Sequence, residues 1–90
     1  MKYKIQKTKG YFKNLKKIDP TFQKQIEAKL EENLSDDPYS CPDCRKLTLP
    51  THGAKYRLRI GNYRVFYVID ENNKAVIIYW VGKRSNAYLD

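Results

Sequence analysis

The chain has no apolar run near the roughly 20 residues that a membrane span needs. Its first ten residues, MKYKIQKTKG, are basic but lack the apolar core of a secretory signal. Only two cysteines are present, Cys41 and Cys44. Without a signal they suggest a reducing, cytoplasmic setting and free thiols in a loop. Histidine is limited to His52, which leaves few residues for metal or acid–base chemistry. There is no internal repeat and no low-complexity segment. Acidic residues are scarce: 10 Asp and Glu face 18 Lys and Arg, for a net charge of +8. That imbalance favours a polyanionic partner, nucleic acid before an acidic protein.

What is present fits a single domain spanning residues 1–90, with one modest core. The charge is uneven. From Met1 to Lys24 Asp19 is the only acid among many lysines, and from Lys55 to Arg84 the only acids are Asp70 and Glu71. The segment between is mildly acidic.

KYKIQ alternates and reads as a short first strand. In TKGYFKNLKKI, Tyr11, Phe12, Leu15 and Ile18 fall at helical spacing. DPTFQKQIEAKLEENL predicts a stronger helix. Asp19 can cap it, Pro20 suits its first position, and Phe22, Ile26, Leu30 and Leu34 form one stripe. The proline-rich stretch SDDPYSCPDCRKLTLPTHG reads as a loop, anchored by Leu47 and Leu49. KYRLRI, YRVFYVID and KAVIIYWV then follow as strands. The expected fold is α+β: a helical hairpin on one face of a four-stranded, mainly antiparallel sheet, in the order β-α-α-β-β-β.

Alternation puts Lys55, Arg57 and Arg59 on one strand face. A two-residue Gly61-Asn62 turn pairs Ile60 with Tyr63 and Arg59 with Arg64, so Arg64 joins that face. Opposed like charges cost up to about 1 kcal/mol, and no acid nearby in the sequence offsets them. An anion belonging among them explains the set better than a merely solvated face. The opposite face collects Tyr56, Leu58, Ile60, Tyr63, Val65, Tyr67 and Ile69 against the helices. A turn at Asn72-Asn73 adds Val76, Ile78 and Trp80 to it. Phe66, Val68, Ile77, Tyr79 and Val81 fall on the cationic face, where they need cover.

YRLRIGNYRVFYVID, followed by VIIYWVGKRSNAY, resembles the RelE/ParE toxin superfamily of toxin–antitoxin systems. The pattern is carried by Arg57, Arg59, Gly61, Tyr63 and Arg64, then Gly82, Arg84 and Tyr88. The resemblance implies the β-α-α-β-β-β fold. It also implies a ribosome-dependent endoribonuclease that cuts messenger RNA in the ribosomal A site and so inhibits translation. Lys55, Arg57, Arg64, Arg84 and Tyr88 match the catalytic positions. The implied partners are the ribosome, messenger RNA and a cognate RelB-like antitoxin, acidic in part; no cofactor is implied. Two alternatives remain: a ParE-like inhibitor of DNA gyrase, and a decayed RNA-binding member.

The proposed chemistry is attack by a 2′-OH on the adjacent phosphorus. Arg64, with Arg57 or Arg59, can grip phosphate oxygens through forked N–H donors. Lys55 is the plausible base, because its neighbours disfavour its charged form. Arg84 would stabilise the leaving oxygen, and Tyr88 would stack on a base. Arg59, Lys83, Lys13, Lys16 and Lys17 are further phosphate-binding candidates. Cys41, Cys44 and His52 supply only part of a zinc site, so no metal is expected.

Overall fold

The computed structural model describes residues 2–88 and contains eight elements. They are β1 (Lys4–Lys7), α1 (Lys9–Leu15), α2 (Pro20–Asp36), β2 (Cys44–Thr51), β3 (Ala54–Ile60), β4 (Tyr63–Asp70), β5 (Ala75–Lys83) and α3 (Arg84–Ala87). The α+β class and the helical hairpin match expectation. The sheet has five strands rather than four, in the order β1-β5-β4-β3-β2. It is mixed, because β1 runs parallel to β5 while the other pairs are antiparallel.

The fifth strand is β2, in the segment read as a loop. It lies at the sheet edge, where a proline is tolerated because its missing N–H can face solvent. Cys44, Arg45 and Lys46 pair with Leu58, Arg57 and Tyr56; the register then breaks before Thr51 meets Ala54. Leu47 anchors the strand as expected, but Leu49 does not: it is 75% exposed.

Both helices begin as their sequences require. The Thr8 hydroxyl accepts the Tyr11 N–H at 3.2 Å, and the Asp19 carboxylate accepts the Thr21 N–H at 2.9 Å. Ile26, Leu30 and Leu34 of α2 are buried with Tyr11 and Leu15 of α1 against Leu58, Val65, Tyr67, Val76, Ile78 and Val81 of the sheet. Phe22 heads the same stripe but stays partly exposed, its ring 5.6 Å from that of Tyr63.

The β3–β4 register is the one the Gly61-Asn62 turn dictates: Ile60 faces Tyr63 and Arg59 faces Arg64. Gly61 takes φ +57°, in the left-handed region that a type II′ turn needs at its first position. The β4–β5 register departs from expectation halfway along. Tyr67 faces Ile78, but Phe66 faces Trp80, so Tyr79 is an extra, bulged residue. Everything beyond it changes face. Val81 therefore joins the helix-side core, and Trp80 moves to the cationic side, where it packs with Phe66 in a second cluster.

Candidate functional site

The bulge gives the cationic face its geometry. One rung across the sheet reads Arg45, Arg57, Phe66 and Trp80. The next reads Arg59, Arg64 and Gly82. Arg84 opens α3 just beyond Gly82, and Tyr88 follows α3. Lys55, two residues before Arg57, is exposed near the start of β3.

Gly82 leaves the room that Trp80 occupies here. A Cβ at this position would lie 2.5 Å from the six-membered ring of Trp80, whose indole covers the glycine. The second cluster is built around Phe66, which is fully buried with Ala54 and Ala87. The Tyr88 ring meets Phe66 edge to face at 5.7 Å, with the tyrosine 56% exposed. The chain's own C-terminal turn and the β2–β3 turn thus cover Phe66 and its neighbour Val68, while Ile77 stays half-buried and Tyr79 exposed.

Arg64 is the central cation and is nearly buried. Its Nη1 donates to the carbonyls of Gly61 and Tyr63, both at 2.9 Å, which fixes the plane of the guanidinium. Burial lowers its pKa from the ordinary arginine value, and the charges of Arg57, Arg84 and Arg59 lower it further; Tyr88 acts in the opposite sense. An arginine stays protonated under such pressure, so the group remains a cation held among cations. An anion placed there would relieve the repulsion.

An acid distant in sequence offsets part of the set. The Asp43 carboxylate lies 2.8 Å from Nη2 of Arg59. The Asp43 carbonyl accepts the backbone N–H of Arg59 at 2.9 Å and Nη1 of Arg57 at 3.4 Å. Asp43 is held between Cys41 and Cys44, which form a disulfide. The two cysteines are therefore not free thiols. The turn closed by the Cys44 N–H on the Cys41 carbonyl, at 2.9 Å, brings their Cα atoms to 5.0 Å, inside the range a disulfide spans. Among the described residues there is no group of three or more His, Cys, Asp or Glu placed to hold a metal.

The structure brings Arg57, Arg59, Arg64, Arg84 and Tyr88 together and adds Arg45 and Asp43, which the loop reading of their segment concealed. It places Lys13, Lys16, Lys17, Lys83 and Tyr79 elsewhere and leaves Lys55 exposed near the start of β3. Lys83 pairs with Tyr63, on the helix side of the sheet. It shares a cleft of about 620 Å³ with Lys17. Lys13 and Lys16 are exposed on and just after α1. Tyr79, expected on the cationic face, is the bulged residue instead. A larger concavity of about 1060 Å³ runs between α2 and the β3–β4 turn and reaches the site at Arg84.

Residues 5–88 match the family described as the ParE toxin of the type II toxin–antitoxin system parDE. A protein of Methanocaldococcus jannaschii named as a candidate toxin, RelE1, is 31% identical over 88 residues, covering 98% of this chain and 97% of that one. The RelBE2 toxin–antitoxin complex of Mycobacterium tuberculosis contains a chain of the same fold, with a TM-score of 0.78 at 24% identity, covering 93% of this chain and 100% of that one. The archaeal RelE–RelB complex of Pyrococcus horikoshii gives a TM-score of 0.74 at 25% identity, covering 97% and 100%.

Proposed function

The chain belongs to the RelE/ParE family of toxins of type II toxin–antitoxin systems, and we propose that within it this protein is a ribosome-dependent endoribonuclease that cuts messenger RNA in the A site. The observation that carries the reading is the convergence of Arg57, Arg59, Arg64 and Arg84 on one sheet face beside a half-exposed Tyr88. Gathered like charges are destabilising, an anion among them would offset that cost, and the Arg64 guanidinium is held in a fixed plane by two backbone carbonyls.

Cleavage proceeds by attack of the 2′-OH on the neighbouring phosphorus and departure of the 5′-oxygen. Arg64 and Arg57 stabilise the charge that builds on the non-bridging oxygens. Arg84 stabilises the leaving oxygen, and Tyr88 stacks on a base to keep the step in line. Lys55, as its neutral amine, takes the 2′-OH proton, and water protonates the departing 5′-oxygen. With no histidine or carboxylate in this role, much of the rate comes from a substrate that the ribosome has already positioned.

The partner in the cell is a RelB-like antitoxin, acidic in part. The Pyrococcus RelE–RelB complex supports this by its likeness over the whole of that RelE chain. The reading is tested by incubating the protein with ribosomes stalled on a defined message, and separately with the same RNA alone. Cutting on the ribosome that Arg64→Ala removes is the expected result.

A second reading, inhibition of DNA gyrase, is favoured by one observation: the matching family carries the ParE description. A supercoiling assay separates the two. Loss of supercoiling with intact message would select gyrase.

A further inference from the structure

We propose that His52 is a positioning residue, whose side chain holds the C-terminal turn that presents Arg84 and Tyr88. The effect on catalysis rests on the ribonuclease reading; the positioning itself rests on geometry alone.

α3 has four residues and no side-chain cap at its start. So short a helix has no stability of its own and stays where its surroundings dock it. Its two ends are pinned separately. The Arg84 N–H donates to the Asn62 carbonyl at 2.7 Å, tying the start of α3 to the β3–β4 turn. At the other end Nε2 of His52 lies 2.8 Å from the Ala87 carbonyl. A carbonyl can only accept, so Nε2 carries the proton. Between the two pins Ala87 is fully buried beside Phe66. Tyr88 is the next residue along, and its ring rests on Phe66.

The imidazole itself has little freedom. It stacks on Trp80 with centroids 4.5 Å apart and planes 5° from parallel, and it lies 5.4 Å from Phe66. His52 and Gly53 both take positive φ, +54° and +79°, in the two-residue turn between Thr51 and Ala54. That backbone aims the ring across the second cluster at a carbonyl 35 residues away in sequence. A surface histidine with no role would not be gripped by a ring stack and a hydrogen bond together. With Nε2–H given to Ala87, an acid–base role would be left to Nδ1 alone.

Two variants test this in the full chain. His52→Asn keeps a residue that tolerates the left-handed backbone, but its shorter amide cannot reach Ala87. His52→Gln extends an N–H donor back toward the carbonyl. On the protein without RNA, His52→Asn should raise amide hydrogen exchange at Ala87 and Tyr88 by roughly three- to tenfold, the loss of one hydrogen bond. Amides of β3 and β4 should not change, and His52→Gln should recover most of the protection. In the ribosome assay His52→Asn should lower kcat by roughly 10- to 100-fold, as misplacement of reacting groups does, with KM held by the strand arginines.

Unchanged exchange at Ala87 and Tyr88 in His52→Asn would overturn the proposal whatever the activity. So would loss of protection throughout the sheet, or a rise in KM with kcat intact. A wild-type protein that cuts no message, yet shows the exchange pattern, defeats the ribonuclease reading and leaves the positioning role standing.

Discussion

Arg59 and Arg64 are direct partners across the β3–β4 hairpin, and the side chain of Arg59 is drawn to Asp43 at 2.8 Å. The pairing of two arginines is relieved at Arg59 by an acid from the turn before β2, and among the described residues no acid pairs with Arg64. Arg64 is therefore the cation that a phosphate would neutralise, with Arg59 partly committed elsewhere.

Asp43→Asn should release Arg59 for RNA. Binding to a short single-stranded RNA should tighten, and the slope of log K against log salt should steepen by about 0.7, the value for one further phosphate contact on a single strand. Stability should fall by no more than about 1 kcal/mol, as for an exposed ion pair. Equal affinity and slope in the two proteins would contradict the account of Arg59.

The Cys41–Cys44 disulfide closes a short loop, so opening it should cost about 2 kcal/mol through chain entropy. Urea unfolding with and without a thiol reductant checks this. The reduced protein and a Cys41→Ser, Cys44→Ser double variant should share a lowered midpoint. Coincident curves for oxidised and reduced wild type would contradict it.

Gly82→Ala should displace the Trp80 ring, since the new methyl would sit 2.5 Å from it. Overpacking of this kind costs about 1–3 kcal/mol. The protein has one tryptophan, so its fluorescence reports the displacement without ambiguity. An unchanged spectrum and an unchanged melting temperature would show that the indole does not cover Gly82.

The three preceding sites show where the sequence was legible and where it was not. The Arg59–Arg64 pairing could be read because a two-residue turn leaves one register. The bulge at Tyr79 could not. Val76 to Val81 are apolar throughout, so no polar residue marks the point at which the faces exchange, and Trp80 and Val81 are assigned to the wrong sides. β2 was hidden by Pro42 just before it and by Pro50 within it, which suits an edge strand as well as a loop. With β2 went Arg45 and Asp43, whose partners are more than ten residues away. The segment that gathers the arginines was thus legible, and the acid that restrains them was not.

At the far end of the sheet Glu71 accepts hydrogen bonds from Tyr39 at 2.6 Å and Tyr3 at 3.0 Å and is paired with Lys74. Lys74 first, then the two phenols, lower its pKa from 4.5 to about 2. The same Glu71 bond raises Tyr39 to about 12. A carboxyl with a lowered folded pKa stabilises above its unfolded value, so this contribution is complete above about pH 4.5 and is lost as pH falls toward 2. The phenol contributes below its unfolded value of 10.0 and loses its effect as pH rises toward 12. Unfolding of wild type and Glu71→Gln should therefore converge through the acid range. A constant separation down to the lowest pH would contradict the assignment.

The central claim is that the arginine face cuts a message held by the ribosome. The most direct measurement is to add wild-type and Arg64→Ala protein to a translating extract and map the ends of one defined message at nucleotide resolution. The account predicts new ends within A-site codons for the wild type and few or none for the variant. Intact message with the wild type, or the same ends in equal yield with Arg64→Ala, would contradict it.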